Sequence, residues 1–126
     1  RRNLMVGACA FGVPLVNAGT HIGSGVIRGA YNSGLLTSLV LFVPLCAWAL
    51  ITFRRAGVLP GKRILAVIAA GALVHVVLIG SLLLHGRGLL SETALLVINV
   101  VNGFIPLAVG LLARSHSADD EQRAAA

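Results

Sequence analysis

The amino-acid sequence predicts an all-α integral membrane bundle of four transmembrane helices with both termini cytoplasmic. Three observations carry this. Of 126 residues, 57% are hydrophobic and only 11% are charged, and mean hydropathy is +0.94; a soluble domain carries about a quarter charged residues and cannot bury so much apolar surface at this length. The charges cut the chain into four uncharged windows, 3–27, 29–53, 64–86 and 93–113, each near the roughly 20 apolar residues that a spanning helix needs. The basic residues then divide unequally. In a four-span chain Arg1, Arg2, Arg54, Arg55, Lys62, Arg63, Arg114 and Arg123 share one side, and Arg28 and Arg87 the other. Such a bias marks the cytoplasmic face, and the acidic Asp119, Asp120 and Glu121 weigh little in it. Three or five spans would scatter the basic clusters.

The elements follow in order. The first span covers about 3–23. It is expected to stop near Thr20 to Gly23, because residues 19–34 are rich in glycine and serine. The segment before the second span, about 34–53, reads as an irregular or interfacial excursion with Tyr31 at headgroup level. Gly19 with Gly23, and Gly25 with Gly29, have the spacing of a close-packing face, or else belong to this loop. Gly57, Pro60 and Gly61 punctuate the basic link 54–63. The third span covers about 64–86. In the link after it Ser91 is placed to N-cap the fourth span, about 93–113, with Glu92 in the first turn where a negative charge suits the helix dipole. Pro14, Pro44 and Pro106 lie inside windows, and each frees a carbonyl about four residues earlier. Trp48 lies toward the cytoplasmic half of the second span. Residues 114–126 read as a polar cytoplasmic tail. The chain opens on Arg1 rather than methionine and closes on a tail-like stretch, so a C-terminal portion of a longer polypeptide is expected.

The net charge of +6 reads as topology and attraction to anionic lipid rather than nucleic-acid binding, since the basic residues sit between apolar runs and not on an amphipathic element. Cys9 and Cys46 lie in apolar runs as small hydrophobes, with no spacing for zinc, an iron–sulfur cluster or attached haem. No metal site and no catalytic residue is assigned. Glu92 is the only carboxylate outside the tail, which excludes paired-carboxylate catalysis. No phosphate-cradling loop or nucleophile elbow is present. The partners expected are the lipid bilayer, and an upstream part of the same polypeptide or other membrane subunits.

A polar side chain in the bilayer core is costly, so its position carries information. His75, in the middle of the third window, is the deepest ionisable group. It reads either as a haem ligand or proton-path step, or as a neutral ring bonded to a neighbouring helix. Asn17 and His21 share a face of the first helix, as Asn99 and Asn102 share one of the fourth. These asparagines read either as interhelical hydrogen bonders or, with His21 and His75, as one polar seam around a cofactor or substrate. His75 and His85 are ten residues and about 15 Å apart on one helix, so they cannot share an iron. His21 is then the natural partner for His85, and a less easy one for His75. His116 lies in the tail.

Arg2 and Asn3, followed by Val6 through Leu15 with Gly12, Val13, Pro14 and Leu15 inside a helix, resemble the C-terminal membrane part of the PepSY-associated transmembrane family. Arg54 and Arg55 would match its arginine-bearing loop. The resemblance implies a four-helix membrane portion, in the cytoplasmic (inner) membrane of a bacterium, of a haem-linked electron-transfer or ferric-siderophore reductase in iron uptake. Haem b is the implied cofactor. The family's best-marked histidines lie upstream, so none transfers by motif to His21, His75 or His85. Two other readings stand beside it, a non-catalytic accessory or structural subunit of a membrane complex and a small transporter-like bundle.

Overall fold

The computed structural model describes residues 4–59 and 61–113, and these are helical apart from short links, with no strand among them. The tail 114–126 with Arg114, His116 and Arg123, the N-terminal Arg1, Arg2 and Asn3, and Pro60 lie outside the described residues. Helix α1 is Leu4–Arg28. A short α2, Leu35–Thr37, leads through a π-helical turn, Ser38–Phe42, into α3, Val43–Arg55. Helix α4 is Gly61–Gly86, and α5 is Glu92–Asn102. After a turn at Gly103 and Phe104, residues 105–113 form α6. Four stretches are long and apolar enough to cross a membrane: Leu4–Arg28, Leu35–Arg55, Arg63–Gly86 and Glu92–Ala113.

The expected stop of α1 near Thr20 to Gly23 is corrected. The helix runs on to Arg28, and the link shrinks to residues 29–34. Apolar surroundings give backbone N–H and C=O groups no partner but each other, so glycine alone does not end a helix there. What ends α1 is a specific closure. Ala30 N–H bonds Gly25 O at 3.2 Å and Gly29 N–H bonds Val26 O at 3.3 Å, with Gly29 at φ +60°. This is the Schellman pattern, which needs a residue in the left-handed region. The same closure ends α3 at Gly57 and α4 at Gly88. At the other kind of terminus, Ser91 is the N-cap of α5, its hydroxyl accepting from Ala94 N–H at 3.2 Å.

The prolines act locally. Pro14 sits inside a continuous α1. Pro44 has no N–H for the Val40 carbonyl, and the backbone just upstream widens into the π-helical turn, where Val43 N–H reaches Ser38 O. Pro106 follows the break between α5 and α6.

Helices α1 and α4 form the centre, and their mutual interface is the largest in the molecule. They run parallel, because Gly12 meets Val67 and Gly71, and Asn17 meets His75 further along. Helix α3 runs antiparallel to α1, Cys46 Sγ donating to Phe11 O at 3.7 Å and Phe53 lying edge-on to Phe11 at 6.1 Å. Helix α5 runs antiparallel to α4, and Gly110 of α6 comes back against Val6. The apolar core of Met5, Ala8, Cys9, Leu59, Val67 and Ala70 lies at the end of the bundle that carries the basic link. Arg63 folds over that link, its guanidinium donating to Val58 O at 3.2 Å.

Candidate functional site: polar clips between the helices

At Gly12 and Gly71 the two central helices touch backbone to backbone. A Cβ added at Gly12 would overlap the Val67 carbonyl, and one at Gly71 would overlap the carbonyl of Gly12. Fully buried Ala8, Cys9, Val67 and Ala70 continue this seam. Small residues let membrane helices approach this closely.

His75 lies directly above the contact. Its side chain is buried. Nδ1 donates to Gly71 O at 2.8 Å, and Nε2 faces Asn17 Oδ1 at 3.3 Å. The carbonyl can only accept, so Nδ1 carries a proton. A ring protonated at both nitrogens donates to Asn17 Oδ1; a neutral ring accepts instead from the Asn17 amide after a half-turn of that group. Either way one side chain from α1 and one from α4 close on each other.

Four further clips involve the other candidates. Asn102 Nδ2 donates to Val74 O at 2.9 Å, and Asn99 Nδ2 donates to Ser81 Oγ at 3.1 Å and to Leu95 O at 3.0 Å. Ser81 in turn donates to Leu78 O at 2.9 Å. Carbonyl partners fix both amide orientations, leaving Asn99 Oδ1 and Asn102 Oδ1 buried without a hydrogen-bond partner. From the first link, Asn32 Nδ2 donates to His21 O of α1 at 2.9 Å, which aims Oδ1 at His21 Nδ1, 2.8 Å away. The His21 ring lies against Gly34, where a Cβ would stand 2.6 Å from the ring. His85 Nδ1 donates to Leu90 O at 2.9 Å and ties down the link after α4.

The structure therefore brings Asn17 to His75, sets Asn99 and Asn102 against α4, and gives His21 and His85 to separate links. With Asn17 level with His75 on parallel helices, His21 stands about 6 Å further along the axis, and His85 about 9 Å beyond that. No group of three or more His, Cys, Asp or Glu side chains able to hold a metal occurs among the described residues. The sequence reading missed Asn32, Ser81, Gly12 and Gly71 as partners. The lone hydroxyl of Ser81 in an otherwise apolar window was the available signal; Gly71 shares its window with Gly80 and Gly86, so nothing in the sequence singled it out. It also passed over Ser38, whose buried hydroxyl has no partner.

Residues 1–49 match a family described as "Protein of unknown function with HXXEE motif". This covers α1 and part of the second span. No His-x-x-Glu-Glu occurs in the chain; the nearest spacing is His116, Asp119 and Asp120, outside the matched stretch. No curated protein matches significantly, and no solved structure does. Nothing in these comparisons supports the PepSY association.

Proposed function

We propose that this chain is the helical membrane portion of a larger membrane protein or complex, with a structural or accessory role rather than a catalytic one. The observation that carries this reading is where the polar groups of the spans are used. His75 and Asn17 join α1 to α4, Asn99 and Asn102 join α5 to α4, and His21 with Asn32 fastens the first link. Side chains spent on interhelical bonds hold a bundle together.

A second reading, haem-linked electron transfer of the kind the PepSY resemblance implies, has one observation in its favour. The Nδ1–H bonds of His21 to Asn32 and of His85 to Leu90 resemble the second-shell bonds that orient a ligating imidazole through its other nitrogen. If haem were bound, His21 or His85 would be the residue to hold it, and the group would supply the one-electron chemistry. A reduced-minus-oxidised absorption spectrum of the purified protein separates the readings. The structural role expects no haem band. A band lost in His21→Ala or His85→Ala overturns it in favour of electron transfer.

A further inference from the structure

We propose that the acidic run Asp119, Asp120 and Glu121 of the tail docks on the basic link between α3 and α4, its carboxylates pairing with Arg54, Arg55 and Arg63. The link lies across one end of the bundle. Leu59 is buried in the cluster with Met5 of α1 and Val67 of α4, and Val58 packs on the same cluster. Arg54 and Arg55 close α3 and are exposed. Arg63 leans back over the link, where its bond to Val58 O uses one of the five N–H groups of a guanidinium. Glu92, the sole acidic side chain among the described residues, begins α5 at the opposite end of the bundle. No described carboxylate therefore faces these guanidiniums.

Position and charge select this occupant. Helix α6 returns to the same end: Gly110 lies against Val6, and Val109 and Ala113 pack on the cluster that holds Leu59 and Val58. The tail, 114–126, therefore leaves the bundle beside the link. Asp119 is six residues past Ala113. Six residues reach about 20 Å when extended, roughly two helix-to-helix spacings of 8–10 Å, so the run can cross the bundle end to Arg54 and Arg55. It holds three of the four Asp and Glu residues in the chain. Covalent tethering keeps them at an effective concentration in roughly the millimolar range, so ion pairs too weak to join separate molecules can hold here. Anionic headgroups are the rival occupant, but they ring the bundle whereas the link crosses its end. This contact is independent of the structural and the electron-transfer readings.

Disulfide trapping tests the contact in the full chain carrying Ala56→Cys and Ala118→Cys, held in phosphatidylcholine nanodiscs; the native Cys9 and Cys46 are fully buried. Under mild oxidation an intrachain bond between positions 56 and 118 is expected. Ser33→Cys with Ala118→Cys, which puts one thiol at the far end of the bundle, sets the background rate. Raising salt to about 1 M, where the Debye length is about 3 Å, should slow the 56–118 bond about fivefold, the upper range for exposed ion pairs. Asp119→Asn, Asp120→Asn and Glu121→Gln together should slow it as much, and so should Arg54→Gln with Arg55→Gln. The tail substitutions lie outside the described helices, so they read the contact even if the arginine variant fails to fold. Reversing both sides, Arg54→Glu and Arg55→Glu with Asp119→Lys and Asp120→Lys, should restore the rate. Arg1→Gln with Arg2→Gln should leave it unchanged. A rate indifferent to salt and to the tail carboxylates, slowing by the Arg1 and Arg2 substitutions instead, bonding between chains only, or loss of the bond in phosphatidylglycerol nanodiscs, which would give the link to lipid, would each overturn the contact.

Discussion

Gly12 and Gly71 show how much of the bundle rests on single atoms. Each faces the other helix's backbone with no room for a methyl group. Gly71→Ala should therefore separate α1 from α4 and cost about 1–3 kcal/mol, the range for overpacking a tight core. Gly19 and Gly80 are the contrast, because a Cβ there meets nothing within 4 Å. Gly19→Ala and Gly80→Ala should be neutral or gain up to about 1 kcal/mol of helix propensity. Thermal unfolding followed with a thiol-reactive dye reads both, since Cys9 and Cys46 are fully buried until the helices part. Equal melting temperatures across the three variants would show that the glycine contact does not govern packing. One turn above, the His75–Asn17 pair should show coupling. In a cycle of His75→Leu, Asn17→Leu and the double variant, the interaction is expected at about 0.6 kcal/mol, with ~2 as the ceiling for such bonds in membranes. Strict additivity would mean that the two side chains act separately.

At the scale of elements, the link between the first two spans holds the sharpest constraint. Gly34 has φ +110° and lies against the His21 ring. Gly34→Ala faces two penalties, left-handed strain and collision with the ring. Adding His21→Ala removes only the second. Protease sensitivity of the link should rise sharply in Gly34→Ala and fall back in part in the double variant; full recovery or none would contradict this division. The same link shows what the sequence could and could not reveal. The four spans were legible because a charge inside a bilayer is so costly that the uncharged windows nearly coincide with the helices. The end of α1 was not, because Gly19, Gly23 and Gly25 look like helix breakers by rules learned in water, whereas here the Schellman closure at Gly29 decides. Ser91 was legible because an N-cap is a local signal. The partners of His75, Asn99 and Asn102 were not, because which residues face one another across two helices depends on their relative register, and Gly12 against Gly71 sets that register through contact rather than through any period along the chain.

At the scale of the whole molecule, the two ends of the bundle differ. The end near the basic link holds the apolar core, with Leu59 and Phe53 packed around Met5, Cys9 and Val67. The end near the first link is fastened by His21, Asn32 and Gly34 instead. The distribution of basic residues, eight against two, argues that the packed end faces the cytoplasm. Two single-cysteine probes test this without removing the native thiols, which are buried. Ser33→Cys and Ala56→Cys both fall at exposed positions, one in each link. In intact cells a membrane-impermeant maleimide should label Cys at 33 and spare Cys at 56 until the membrane is permeabilised. A reporter fused after Ala126 should give a cytoplasmic signal in agreement. Labelling at 56 with protection at 33 would invert the molecule; labelling at both would mean that the two links share a face and would break the four-span count itself.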